Sequence, residues 1–78
     1  MKDFLKKILS AIVDAPEQAE IASQEENGQT IYTLLAPKDE VGRVIGKEGR
    51  VINAIRCLAR LKAAKTGEKI YIKVEEKV

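Results

Sequence analysis

The chain has 78 residues, 45% of them apolar and 33% charged, which predicts a folded protein rather than a disordered one. A chain this short buries only about 60% of its extended surface and has no room for a second core, so residues 1–78 are read as one domain. One cysteine and no histidine exclude an internal disulfide, a His/Cys zinc cluster and histidine acid–base chemistry, and predict a reducing, cytoplasmic setting.

Phe4, Leu5, Ile8, Leu9 and Ile12 recur at spacings of three and four, predicting an amphipathic helix over 2–13 that stops near Pro16. Basic residues ahead of apolar ones imitate a secretory leader. Lys6 and Lys7 interrupt the run and Asp14 follows it, so the segment is read as structural helix. No apolar run approaches the roughly 18 to 20 residues of a membrane span, and no membrane partner is expected.

Asn27-Gly28 separates two strand-like segments, 18–26 and 29–36, and predicts a hairpin turn in which both central residues take positive φ. The first strand carries Ile21 as its only large apolar residue and is placed at an edge. The second, from Thr30 to Ala36, is dense in strand formers and ends at Pro37. A short helical turn from Lys38 or Asp39 breaks at Gly46-Lys47-Glu48-Gly49. A long helix then runs over 50–65, free of glycine and proline, with Gly67 as its stop. On that helix Cys57 is read as a buried small hydrophobe. Finally, Ile70, Ile72 and Val74 alternate with Tyr71, Lys73 and Glu75, the period of a strand with one core face.

The order helix-strand-strand-helix-helix-strand predicts an α+β fold. Its three-stranded mixed sheet has one antiparallel pair and one right-handed parallel crossover, with three helices on one face.

Charge is unevenly spread. The net charge is only +2, yet residues 38–65 hold eight basic and three acidic side chains, including all four arginines, Arg43, Arg50, Arg56 and Arg60. Arginine's planar donor fork matches phosphate better than an ammonium point charge. Within this segment the two glycines of Gly46-Lys47-Glu48-Gly49 predict a sharp turn whose amides, beside the start of the long helix, favour an anion. A bare GxxG is weakly specific, and a tight turn between packed helices explains it equally. The run from Gly42 to Lys47 is one residue short of a P-loop, and Glu48 stands where a magnesium-binding Ser or Thr belongs. Ser10 and Ser23 have no histidine base, and no paired carboxylates or metal set emerge, so no enzyme is expected and no cofactor is called for.

Val44-Ile45-Gly46-Lys47-Glu48-Gly49-Arg50, followed by Ile52 and Ile55, resembles the central signature of a KH domain, an RNA-binding module whose GxxG loop clamps single-stranded backbone. The element order is similar to the bacterial type II arrangement. Leu35-Ala36-Pro37 and Ala54-Ile55-Arg56 extend the likeness to the small single-KH proteins of bacteria, the KhpA family. The resemblance implies phosphate contact at Gly46, Lys47, Glu48, Gly49 and Arg50. It also implies an apolar groove from Val44, Ile45, Ile52 and Ile55, walled by Ile70, Tyr71 and Ile72. Arg43, Arg56 and Arg60 are auxiliary basic residues; Arg56 and Arg60, four apart on one side of the long helix, extend a phosphate track or form a solvated face. Tyr32 and Tyr71 are read as half-buried sheet filler. The apolar stripe of the long helix is wider than the sheet needs, which makes Leu58 and Leu61 a candidate interface.

What the resemblance implies is non-catalytic binding of single-stranded RNA in post-transcriptional regulation, as an RNA chaperone. The family further implies a homodimer and a heteromer with a larger KH-containing RNA-binding protein associated with cell shape, elongation and division. The rival reading is a protein-interaction adaptor that uses the 50–65 helix, with RNA binding weak or absent.

Overall fold

A computed structural model describes residues 1–77. Its elements are α1 (Lys2–Ile12), β1 (Glu20–Glu26), β2 (Gln29–Ala36), α2 (Lys38–Ile45), α3 (Arg50–Ala64) and β3 (Ile70–Glu76), with single 3-10 turns at Pro16–Gln18 and Lys47–Gly49. β2 is central. It pairs antiparallel with β1, Ser23 opposite Tyr32, and parallel with β3, Tyr32 beside Ile72. This is the type II KH order and the expected mixed sheet.

Alternation along the strands decides which face is covered. Tyr32, Leu34 and Ala36 on β2 and Ile72 on β3 are buried, and they meet Leu5 and Leu9 of α1, Val44 of α2 and Ile52, Ile55 and Ala59 of α3. The intervening residues Ile31, Thr33 and Leu35 lie on the other, partly open face. β1 is the weak strand expected: all but one of its residues are exposed, which an edge position tolerates because one neighbour and little core depend on it.

Two departures concern α3 and the segment ahead of β1. Residues 18 and 19 are not strand, because Pro16 starts a 3-10 turn that Lys6 holds by donating from Nζ to the Pro16 and Ala19 carbonyls. Cys57 is exposed, not buried. The buried stripe of α3 is Ile52, Ile55, Ala59 and Ala63, and Cys57 stands two residues past Ile55, about 200° around the helix from it.

Three polar contacts fix the helices. Glu40, 6% exposed, accepts a hydrogen bond at Oε1 from the Asp14 amide and so ties the end of α1 to the start of α2. Lys62 Nζ lies 4.8 Å from the centroid of the Phe4 ring, joining α3 to α1. Tyr32 Oη donates to Glu68 Oε1 at 3.0 Å, pinning the loop that leads into β3. Burial, followed by that hydrogen bond, raises the Tyr32 phenol above its ordinary value. No helix among the described residues is long and apolar enough to cross a membrane.

Candidate nucleic-acid interface

α2 stops because Gly46 takes φ 77 and ψ 172, a region closed to residues with a Cβ. Its amide donates back to the Gly42 carbonyl at 2.8 Å. A Cβ at Gly46 would sit 2.8 Å from Val51 Cβ and 2.9 Å from the Val51 nitrogen. Glycine is therefore what lets the first turn of α3 fold back on the end of α2. Two left-handed residues follow, Glu48 (φ 57) and Gly49 (φ 76), and the Gly49 amide closes the turn on the Gly46 carbonyl at 3.1 Å.

α3 then starts at Arg50 with Gly49 as its N-cap, which offers no side-chain acceptor, and without an acidic residue in its first turn. An α-helix leaves its first amides without intrahelical acceptors, and its dipole puts positive potential there. Lys47, Glu48 and Arg50 are all exposed around this point. Glu48 Oε2 approaches Arg50 Nη2 only to 3.9 Å, with both side chains more than two-thirds exposed, so the pair is a weak one.

The remaining arginines part company. Arg43 is turned away from the glycine turn by a 2.7 Å ion pair to Asp14, on the stretch after α1. Arg56 is held at the opposite side of α3. Its Nε donates to the Ile72 carbonyl of β3 at 3.2 Å, and its guanidinium lies 5.9 Å from the Tyr71 ring centroid. Its Nη1 donates to Asn53 Oδ1 at 3.4 Å. Asn53 Nδ2 in turn lies 3.7 Å from where a Gly49 Cβ would stand. A continuous polar line thus runs from the glycine turn through Asn53 and Arg56 to the free edge of β3. Arg60, one helical turn beyond Arg56, is exposed.

The residues expected to form the apolar groove lie at two depths. Val44, Ile52, Ile55 and Ile72 are 6% exposed or less. They are the underside of this surface and belong to the core, because their helical and strand periods point them at α1 and the sheet. The apolar groups that reach solvent here are Ile45 (38%) and Tyr71 (46%), with Ile70 partly exposed. Tyr71 is thus open and covered on one side by Arg56, whereas Tyr32 is buried.

Sequence reading passed over Asn53, although its placement three residues before Arg56 on a helix is a legible signal. Leu58 and Leu61, 48% and 68% exposed, lie off the buried stripe of α3. Two other surface hollows, of about 340 and 250 Å³, are lined by α1–β1 residues such as Lys6 and Glu20, and by Asp14, Asp39, Glu40 and Arg43. Neither includes a residue of the 46–50 turn or of β3. Among the described residues no three His, Cys, Asp or Glu side chains cluster as a metal site.

Known sequences match this chain along nearly its whole length. The sequence model of the family described as "KhpA/KhpB, KH domain" matches residues 2–74. The RNA-binding protein KhpA of Chlamydia caviae is 40% identical over 76 residues, covering 97% of both chains. KhpA of Listeria monocytogenes is 36% identical over 97% of this chain and all of its own. KhpA of Oceanobacillus iheyensis is 35% identical over 95% of this chain and 99% of its own. With the type II order, the glycine turn and these matches together, the chain belongs to the KhpA/KhpB family of KH domains.

Proposed function

We propose that the protein binds short single-stranded RNA without catalysis, holding phosphates at Gly46, Lys47, Glu48, Gly49 and Arg50. The observation that carries this reading is the paired left-handed turn set before α3, whose N-cap brings no competing side-chain acceptor. Backbone amides and helix dipole attract phosphate, and Lys47 and Arg50 add charge. The surface from Ile45 to Ile70 and Tyr71 receives the bases, on a floor made firm by Val44, Ile52, Ile55 and Ile72 beneath it. KH modules take about four nucleotides this way. RNA-binding relatives of nearly the same length support the assignment.

So few phosphate contacts give modest affinity and a shallow dependence on salt. Titration of fluorescent single-stranded RNA hexamers at low salt tests the reading. Binding is expected, and its absence overturns it. Replacing Lys47 and Glu48 together by aspartate weakens binding at least tenfold at unchanged helical content. Equal affinity in that folded variant removes the clamp.

Exposed Leu58 and Leu61 favour a second role for α3, as a contact with another copy of the chain or with a larger KH-containing protein. Two linked domains gain affinity through effective concentration. A Leu61→Lys variant is expected to be monomeric by light scattering while keeping the affinity of one domain for RNA. A monomeric wild type removes the homodimer. Both roles belong to a cytoplasmic protein of RNA regulation.

A further inference from the structure

We infer that Arg56 is a base reader that selects guanine next to the clamped phosphates, an assignment that rests on the RNA-binding reading above. Its place in the fold differs from that of a phosphate-tracking arginine. The side chain is partly buried, with Nε anchored on a main-chain carbonyl at a sheet edge, Nη1 on Asn53, and the guanidinium beside the Tyr71 ring. Three of its five N–H donors have no protein partner among the described residues. The fork is therefore held in orientation before any ligand arrives, and little rotamer freedom remains to be lost on binding.

The location suits a base rather than a phosphate. From Arg50 to Arg56 along α3 is about 9 Å at the helical rise per residue, within reach of a segment whose phosphates sit on the glycine turn. Ile72 and Tyr71 lie on the free edge strand, where an unstacked base meets main-chain groups.

The donor fork sets the choice among bases. Guanine offers two adjacent acceptors, O6 and N7, that match two parallel N–H groups. Unpaired adenine sets its N6 donors beside N7 and N1, and uracil flanks its N3–H with O4 and O2, so neither offers adjacent acceptors. Cytosine offers N3 beside O2 and is the competing base, over which guanine gains the larger ring face against Tyr71. Asn53 fixes the fork's rotation through Oδ1 and is the positioning residue.

Fluorescence titrations of the full chain test this with hexauridylate and with hexamers in which one guanosine, or one cytidine, is walked through the uridines; a cytidine gain equal to the guanosine gain overturns the choice of base. At one position guanosine is expected to tighten binding roughly tenfold, since a bidentate pair discriminates by about 1–3 kcal/mol. Inosine there keeps the gain, because it retains O6 and N7. Seven-deazaguanosine, which lacks N7, loses most of it. In Arg56→Gln the ratio of the guanosine-containing hexamer's affinity to that of hexauridylate is expected to fall to about one, whatever the variant's affinity for hexauridylate itself. Hexauridylate binding without a guanosine gain at any position overturns the assignment and leaves the clamp standing. So does a gain that survives Arg56→Gln, or one that seven-deazaguanosine retains in full. Absence of binding to every RNA overturns the clamp and the reader together. The base-analogue arm uses wild-type protein, so it stands even where a variant folds poorly.

Discussion

Two turns in this molecule share a backbone conformation and differ in everything around it. At the hairpin, Asn27 (φ 53) and Gly28 (φ 80) are left-handed in succession, and at the helix junction Glu48 (φ 57) and Gly49 (φ 76) repeat the pair. The first sits after Glu25 and Glu26 and joins two strands whose own ladder consumes their amides. The second is preceded by Lys47, followed by Arg50 and opens onto the start of a 15-residue helix. On the proposed reading, left-handed geometry alone does not make an anion site. Charge of the right sign and a helix with open amides must be added.

The largest effect that sharpens this contrast is on packing. Gly46→Ala combines positive φ with a Cβ pressed against Val51, and is expected to cost roughly 3 kcal/mol in urea unfolding. Gly28→Ala meets nothing within 4 Å and pays only for its φ, about 1 kcal/mol. Equal losses would erase the distinction between a crowded turn and an open one.

Next in size is Tyr32→Phe, which removes the hydrogen bond to Glu68 and is expected to cost about 1 kcal/mol at neutral pH. Because the folded phenol titrates above its ordinary value near 10, its contribution is complete below that value. It is lost as pH rises past the unfolded value toward the folded one. Thermal unfolding of wild type and variant should therefore converge as alkali is added, and a constant gap across that range contradicts the shift.

Smaller again is Gly42→Ala. Gly42 lies inside α2 with open space where a Cβ would go, so alanine is expected to stabilise by about 1 kcal/mol or less. The smallest change is functional. Glu48→Gln removes a carboxylate from the proposed clamp and loses only a weak contact to Arg50, so low-salt RNA affinity should rise a few-fold with no change in unfolding midpoint. A fall in affinity would mean that the carboxylate serves the site.

Much of the fold was legible because it rests on local periods and punctuation. Asn27-Gly28 set the hairpin, Pro37 and Gly46 bounded α2, and the 3.6-residue stripe fixed α3. The glycine turn was legible for the same reason. What escaped depended on partners distant in sequence. Cys57 is the exception: its place two residues past Ile55 already sets it on the far side of the stripe, and helical period outweighs cysteine's usual preference for burial. Four of the seven groove residues, Val44, Ile52, Ile55 and Ile72, are buried, and apolar character alone does not tell a residue beneath the surface from one on it. Arg43 and Arg56 look alike in a charge count. Asp14, 29 residues before Arg43, and Ile72, 16 residues after Arg56, send them to opposite tasks.

β1 presents a free border with Glu25 and Glu26 at its hairpin end, while Glu20 at the other end is ion-paired with Lys77 at 2.8 Å, so a neighbouring copy that tried to extend the sheet at the hairpin end would meet a pair of carboxylates. The same pair repels a polyanion. The two margins of the sheet therefore differ: one carries acidic side chains at its hairpin end, and the other has an arginine bonded to its main chain.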